Sequence, residues 1–163
     1  MSQTRERTAH HEAGHAVIGY KLGGYTCAAT IRPNAERGTL GHATSGGYSI
    51  SAHVLSLYAG RAAEAIFAGC EVTEGHQQDY DEAAEFLGEL GETQEAMEER
   101  ARLLVVEHWG AIATVAQALL EHETLRGEEL DFLIDCHDEG LDWRERLPWY
   151  RQHVSDPRSE GAP

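Results

Sequence analysis

Thr8-Ala9-His10-His11-Glu12-Ala13-Gly14-His15-Ala16-Val17 is the stretch on which the reading of this chain turns. Ala9, Ala13, Ala16, Val17 and Tyr20 recur at the spacing of a helix with one buried face, and Gly23-Gly24 offers a stop. A helix is therefore expected from about Thr4 to Leu22. Each helical residue turns the chain by about 100°, so His11 and His15 stand one turn apart and reach one ion together. Imidazole nitrogens suit Zn²⁺, and two of them on one rigid helix supply half of a tetrahedral site. Glu12 can lean toward the open coordination position, where a general base would take a proton from metal-activated water as it attacks a carbonyl. The chain carries ten histidines, yet this spacing of His, Glu and His is expected by chance only about 0.08 times. Gly14 costs helix stability on the order of 1 kcal/mol against alanine, which a close packing contact or a constraint beside the metal would explain.

A catalytic zinc needs a third protein ligand. The continuation His-x-x-Gly-x-x-His is absent, because Ile18 and Lys21 stand where the glycine and last histidine belong. Glu36 falls in an expected hairpin turn. Glu64, Asp79, Asp81 and His76 remain, and spacing does not choose among them.

Outward from the first helix, Tyr25 to Arg32 reads as a strand. Pro33 and Asn34-Ala35-Glu36-Arg37-Gly38 read as a turn, and Thr39 to Thr44 as a second strand ending at Ser45-Gly46-Gly47. Helices follow from about Ser51 to Ala68, through Ala83, Phe86, Leu87 and Leu90 up to Gly91, from Thr93 to about His122 with a bend at Gly110, and from Gly127 to Asp138. The expected fold is mainly α (α+β): a helical domain over 1–142 with one small β-hairpin or sheet beside the HExxH helix. Residues 143–163 read as a polar, loosely ordered C-terminal tail. His10 points about 100° away from His11 and reads as a helix-surface residue. His42 reads as a half-exposed strand residue, and His53, His108, His122, His137 and His153 as surface residues.

The chain has 163 residues, ordinary for one globular domain. Thirteen Lys and Arg against 28 Asp and Glu give a formal charge of −15, which disfavours binding to nucleic acid or an anionic membrane. No apolar run approaches the roughly 20 residues of a membrane span, and no signal-peptide core opens the chain. Cys27, Cys70 and Cys136 are odd in number and lack CxxC spacing, which suits buried thiols in a reducing compartment. The cytoplasm is the expected location.

Several ordered blocks resemble the peptidase domain of the FtsH-type ATP-dependent zinc metalloproteases. His11 to Val17 (HEAGHAV) is similar to that family's zinc helix, and Thr30-Ile31-Arg32-Pro33 with Leu40-Gly41 to its strand pair. Ala59-Gly60-Arg61-Ala62-Ala63-Glu64 resembles its Gly-Gly-Arg-x-Ala-Glu helix, and Val72 to Asp79 lies where the family has Thr-x-Gly-Ala-Ser-Asn-Asp. Leu119 to Leu130 is similar to its closing Leu-Leu-Glu-x-Glu-Thr-Leu-x-Gly-Glu-Glu segment. The resemblance implies zinc held by His11, His15 and Asp79, with Glu12 as general base. Glu64 would stand outside the ligand set, steadying a histidine or pairing with Arg61. His76-Gln77-Gln78 departs from the family's Ala-Ser-Asn, and no GxxxxGK[ST] phosphate loop is present.

Three functions compete on these grounds. The first is an ATP-independent zinc metalloendopeptidase acting on unfolded or flexible polypeptides, with a separate ATPase or adaptor protein as a further partner. The second is a non-catalytic zinc-binding regulatory or protein-interaction module that kept the fold. The third, a closed structural zinc domain, has no use for Glu12. The oligomeric state is left open.

Overall fold

The computed structural model describes residues 2–33, 41–47 and 49–154, apart from the side chains of Ser2, Gln3, His42 and Ser45. Helix α1 (Ser2–Lys21) leads into strands β1 (Tyr25–Thr30) and β2 (His42–Gly46). Helices α2 (Ile50–Ala68), α3 (Gln77–Leu90), α4 (Gln94–Glu107) and α5 (Trp109–His122) follow. Strand β3 (Thr124–Arg126), α6 (Gly127–Asp138) and α7 (Trp143–His153) complete the described chain. The fold is mainly helical with a small antiparallel sheet ordered β2-β1-β3.

Helix α1 is the spine. Ala9, Ala13, Ala16, Val17 and Ile18 are fully buried, and the helix packs most extensively on α2 and next on α5. Small residues permit the close approach: a Cβ on Gly14 would lie 2.6 Å from the carbonyl oxygen of Ala59 on α2. The cost of a helical glycine is thus offset by interhelical contact.

The apolar interior forms two clusters. One joins α1 and β1 to α5, α6 and α7; the other joins α2 to α3 and α4 through Val54, Leu55, Tyr58, Ala83, Met97 and Ala101. The two clusters explain why the helix expected from Thr93 to His122 is in fact two. Met97 and Ala101 bury in one cluster and Ile112, Val115 and Leu119 in the other, so the chain turns by 78° between α4 and α5. The break falls at His108, not Gly110. Gly110 instead admits the His137 ring of α6, which a Cβ there would meet at 2.5 Å.

Three other expectations change. Strand β2 runs on through Ser45 and Gly46, which pair with Thr26 and Tyr25, past the expected end at Thr44; the expected turn at 34–38 and the expected strand start at 39–40 lie outside the described residues. Strand β3, at three residues too short to leave a periodic signal, pairs Leu125 with Ala29. The stretch from Trp143 is not a loose tail as far as His153, and the packed domain does not end at residue 142. Asp142 caps α7 by accepting from the Arg144 N–H at 2.9 Å, while Trp143 and Leu147 bury in the larger cluster. Arg151 also donates to the buried Glu129 at 2.6 Å. Residues 155–163 of that expected tail lie outside the described residues. Of the cysteines, only Cys136 is buried; Cys27 and Cys70 are exposed. Among the described residues, no single helix is long and apolar enough to cross a membrane.

Candidate metal centre

Three helices bring their side chains to one point. Helix α1 supplies His11, Glu12 and His15. Helix α2 carries Ser56 and Glu64, and α3 presents Asp79 in its first turn, where the helix dipole favours a carboxylate. Arg61 sets the position of that turn: its Nε donates to the Val72 carbonyl at 2.9 Å and its guanidinium to the Tyr80 hydroxyl at 2.6 Å. Connecting loop and start of α3 are thereby tied to α2.

His15 is locked between α1 and α2. Its Nδ1–H donates to the Ser56 carbonyl at 2.8 Å, and the Ser56 hydroxyl donates back to the His15 carbonyl at 3.1 Å. With Nδ1 as donor, the Nε2 lone pair is directed to the site. Gly60 leaves the room for this ring, because a Cβ there would lie 2.3 Å from Nε2. His11 is held less firmly. Its Nδ1 stands 3.3 Å from Glu64 Oε2 without the alignment of a hydrogen bond.

The imidazole nitrogens face each other, with His15 Nε2 3.0 Å from His11 Nε2. Asp79 Oδ2 lies 3.2 Å from His11 Nε2 and 3.4 Å from His15 Nε2. His11, His15 and Asp79 can hold a metal ion between them. Burial opposes charge on His11, yet the Asp79 carboxylate, which accepts from Nε2, and the Glu64 carboxylate beside Nδ1 outweigh it and push its pKa up to about 10. Burial also opposes charge on His15, and the Asp79 carboxylate overcomes it, raising that pKa. Asp79 shows the reciprocal effect. Burial would keep it neutral, but the two imidazoles hold it well below the usual carboxylate range.

These groups line a cleft of about 690 Å³. Glu12 is buried on its wall, and a Cβ on Gly41 would come within 2.7 Å of Glu12 Oε1. The other candidates lie elsewhere. Asp81 is exposed and accepts from Gln77 at 2.7 Å; His76 packs its ring on Tyr80. Glu36 and the His42 side chain fall outside the described residues. Glu64 pairs with Arg7 and not with Arg61.

Two histidine readings are corrected. His10 is buried, not on the surface: it stacks on Phe67 at 4.0 Å, lies 5.5 Å from the Trp109 ring, and donates from Nδ1 to the Glu6 carbonyl. Helix α1 is enclosed by both α2 and α5, so it buries more than the single face its periodicity suggests. Burial lowers the His10 pKa. His53, read as a surface residue, is half-buried on the cleft wall with Nε2 2.8 Å from Glu82 Oε1. Ser56 acts through its backbone carbonyl and left no signal in the sequence. Arg7, four residues before His11, carried the helical spacing that would have marked it. No family model matches the chain, and no curated protein matches it.

Proposed function

We propose that the chain is a zinc metallopeptidase that hydrolyses peptide bonds of unfolded or flexible polypeptides without an ATPase of its own. The observation that carries this reading is the triangle of ligand atoms, with edges of 3.0, 3.2 and 3.4 Å. A tetrahedral ion bonded at about 2.0–2.1 Å separates its ligands by about 3.3 Å. Two imidazoles and one carboxylate are also a donor set that suits zinc and leaves a position open. Zinc, when bound, supplies Lewis-acid polarisation of a carbonyl and makes water a stronger nucleophile.

The chain's own residues account for the remaining chemistry. Glu12, adjacent to His11 and facing the same cleft, takes a proton from the attacking water and hands it to the leaving amine. Among the described residues β2 is an edge strand, and its Ala43 and Thr44 line the cleft. An extended polypeptide can therefore add to the sheet beside the ligands, its main chain held straight by strand pairing. A folded substrate would call on a separate ATPase or adaptor.

Glu12→Gln tests the reading. The variant is expected to keep its zinc and to cleave a loosely folded protein about 10²- to 10⁴-fold more slowly. Cleavage by the wild type should need no ATP and should stop with a chelator. Equal slow rates for variant and wild type would exclude the peptidase and leave the second reading, a zinc-binding interaction module that retains the fold.

A further inference from the structure

We infer that Arg7 is a positioning residue of the metal centre, acting through Glu64 to hold His11 in its ligating orientation. The inference rests on the metal-centre reading above. The two histidines are supported unequally. His15 has the Ser56 carbonyl at 2.8 Å from Nδ1, a backbone group that cannot swing away. The Nδ1 of His11 is buried, and its neighbour is a side-chain carboxylate, Glu64 Oε2 at 3.3 Å. The orientation of His11 therefore depends on what holds Glu64.

Arg7 holds it. The Nε and a terminal nitrogen of Arg7 each lie 2.8 Å from Glu64 Oε1, the oxygen not facing His11. Arg7 stands one turn before His11 on α1, and Glu64 reaches across from α2. The carboxylate thus bridges two points of α1. A side chain only 14% exposed has lost much of its hydration and needs a cationic partner to remain ionised. Two guanidinium donors on one oxygen supply that charge and fix the plane of the group, leaving Oε2 for the imidazole. A carboxylate beside the distal nitrogen of a ligating histidine fixes the tautomer and strengthens the ligand. Its loss typically weakens metal affinity about 10- to 100-fold.

The test is a zinc titration of the full chain against a chromophoric chelator. Wild type would be compared with Arg7→Met, Arg7→Lys, Glu64→Gln and the double variant Arg7→Met/Glu64→Gln. Arg7→Met should weaken zinc binding about 10- to 100-fold and Arg7→Lys by less. The double variant should bind no more weakly than Glu64→Gln alone, because the effect of Arg7 passes through that carboxylate. Arg7 is partly exposed, so circular dichroism of the metal-free variants should match wild type. Wild-type affinity in Arg7→Met overturns the inference, as does a further loss of the same size in the Glu64→Gln background. Either result leaves the metal centre standing; failure of the wild-type chain to bind zinc at all removes the centre itself.

Discussion

Helices α1 and α3 bring the candidate ligands His11, His15 and Asp79 to the same point but are held in place by different means. Helix α1 is buried along nearly its whole second half and is clamped by α2 and α5. Of its two histidines, His15 is fixed by the Ser56 carbonyl and His11 stands against the Glu64 side chain. Helix α3 buries only Ala83 outright, and the position of its first turn depends on the Arg61 tether to Val72 and Tyr80. The contrast shows how such a site can be both pre-organised and adjustable. Two of the candidate ligands stand on a core helix, and the third comes from a lightly packed element.

The sharpest way to break the comparison is to disturb the rigid side. Gly60→Ala would drive a methyl group into the His15 ring, where only backbone and ring now meet. The variant should bind zinc about 10- to 100-fold more weakly while keeping its helical content. Unchanged affinity would show that α1 and α2 are not rigidly apposed at the site.

Gly14→Ala and Tyr80→Phe make a paired test of smaller size. The first inserts a Cβ against the Ala59 carbonyl and should cost about 1–3 kcal/mol of global stability in denaturant melts. The second removes the acceptor and hydroxyl of the Arg61 tether and should cost about 1 kcal/mol, with its main effect on zinc affinity. Equal stability losses would erase the distinction between core and tethered ligands.

The smallest effect concerns pH in the absence of metal. His11 rises from an ordinary 6.5 to about 10 on folding, so its contribution is complete below pH 6.5 and is lost as pH climbs toward 10. Asp79 is depressed on folding; its contribution is present above its ordinary value of 3.8 and is lost as pH falls below it. Metal-free protein should therefore melt highest between about pH 4 and 6.5, and a few degrees lower by pH 9. A melting temperature that rises from pH 6.5 to 9 would contradict the assigned pairing.

How much of this was legible in the sequence follows the same division. α1 could be read directly, because a buried helix shows its periodicity and His11 and His15 declare their spacing. Asp79 could not be reached that way. It stands 64 residues after His15, nothing local marks it out from Asp81, and only the resemblance singled it out. The structure brings Asp79 to the two imidazoles and leaves Asp81 in solvent. Helix α7 was obscured by its polar composition and by Pro148, although Trp143 and Leu147 are buried in the larger cluster and Tyr150 stacks on Phe132. His10 was misread because a one-sided helix was assumed where tertiary packing closes both sides.

The most direct test of the central claim is the zinc stoichiometry of the purified chain, measured for wild type and His15→Ala. The account predicts one tightly held ion per wild-type chain and loss of tight binding when the Nε2 of His15 is removed. A wild-type chain that takes up no zinc, or a His15→Ala variant that retains it at wild-type affinity, would contradict it.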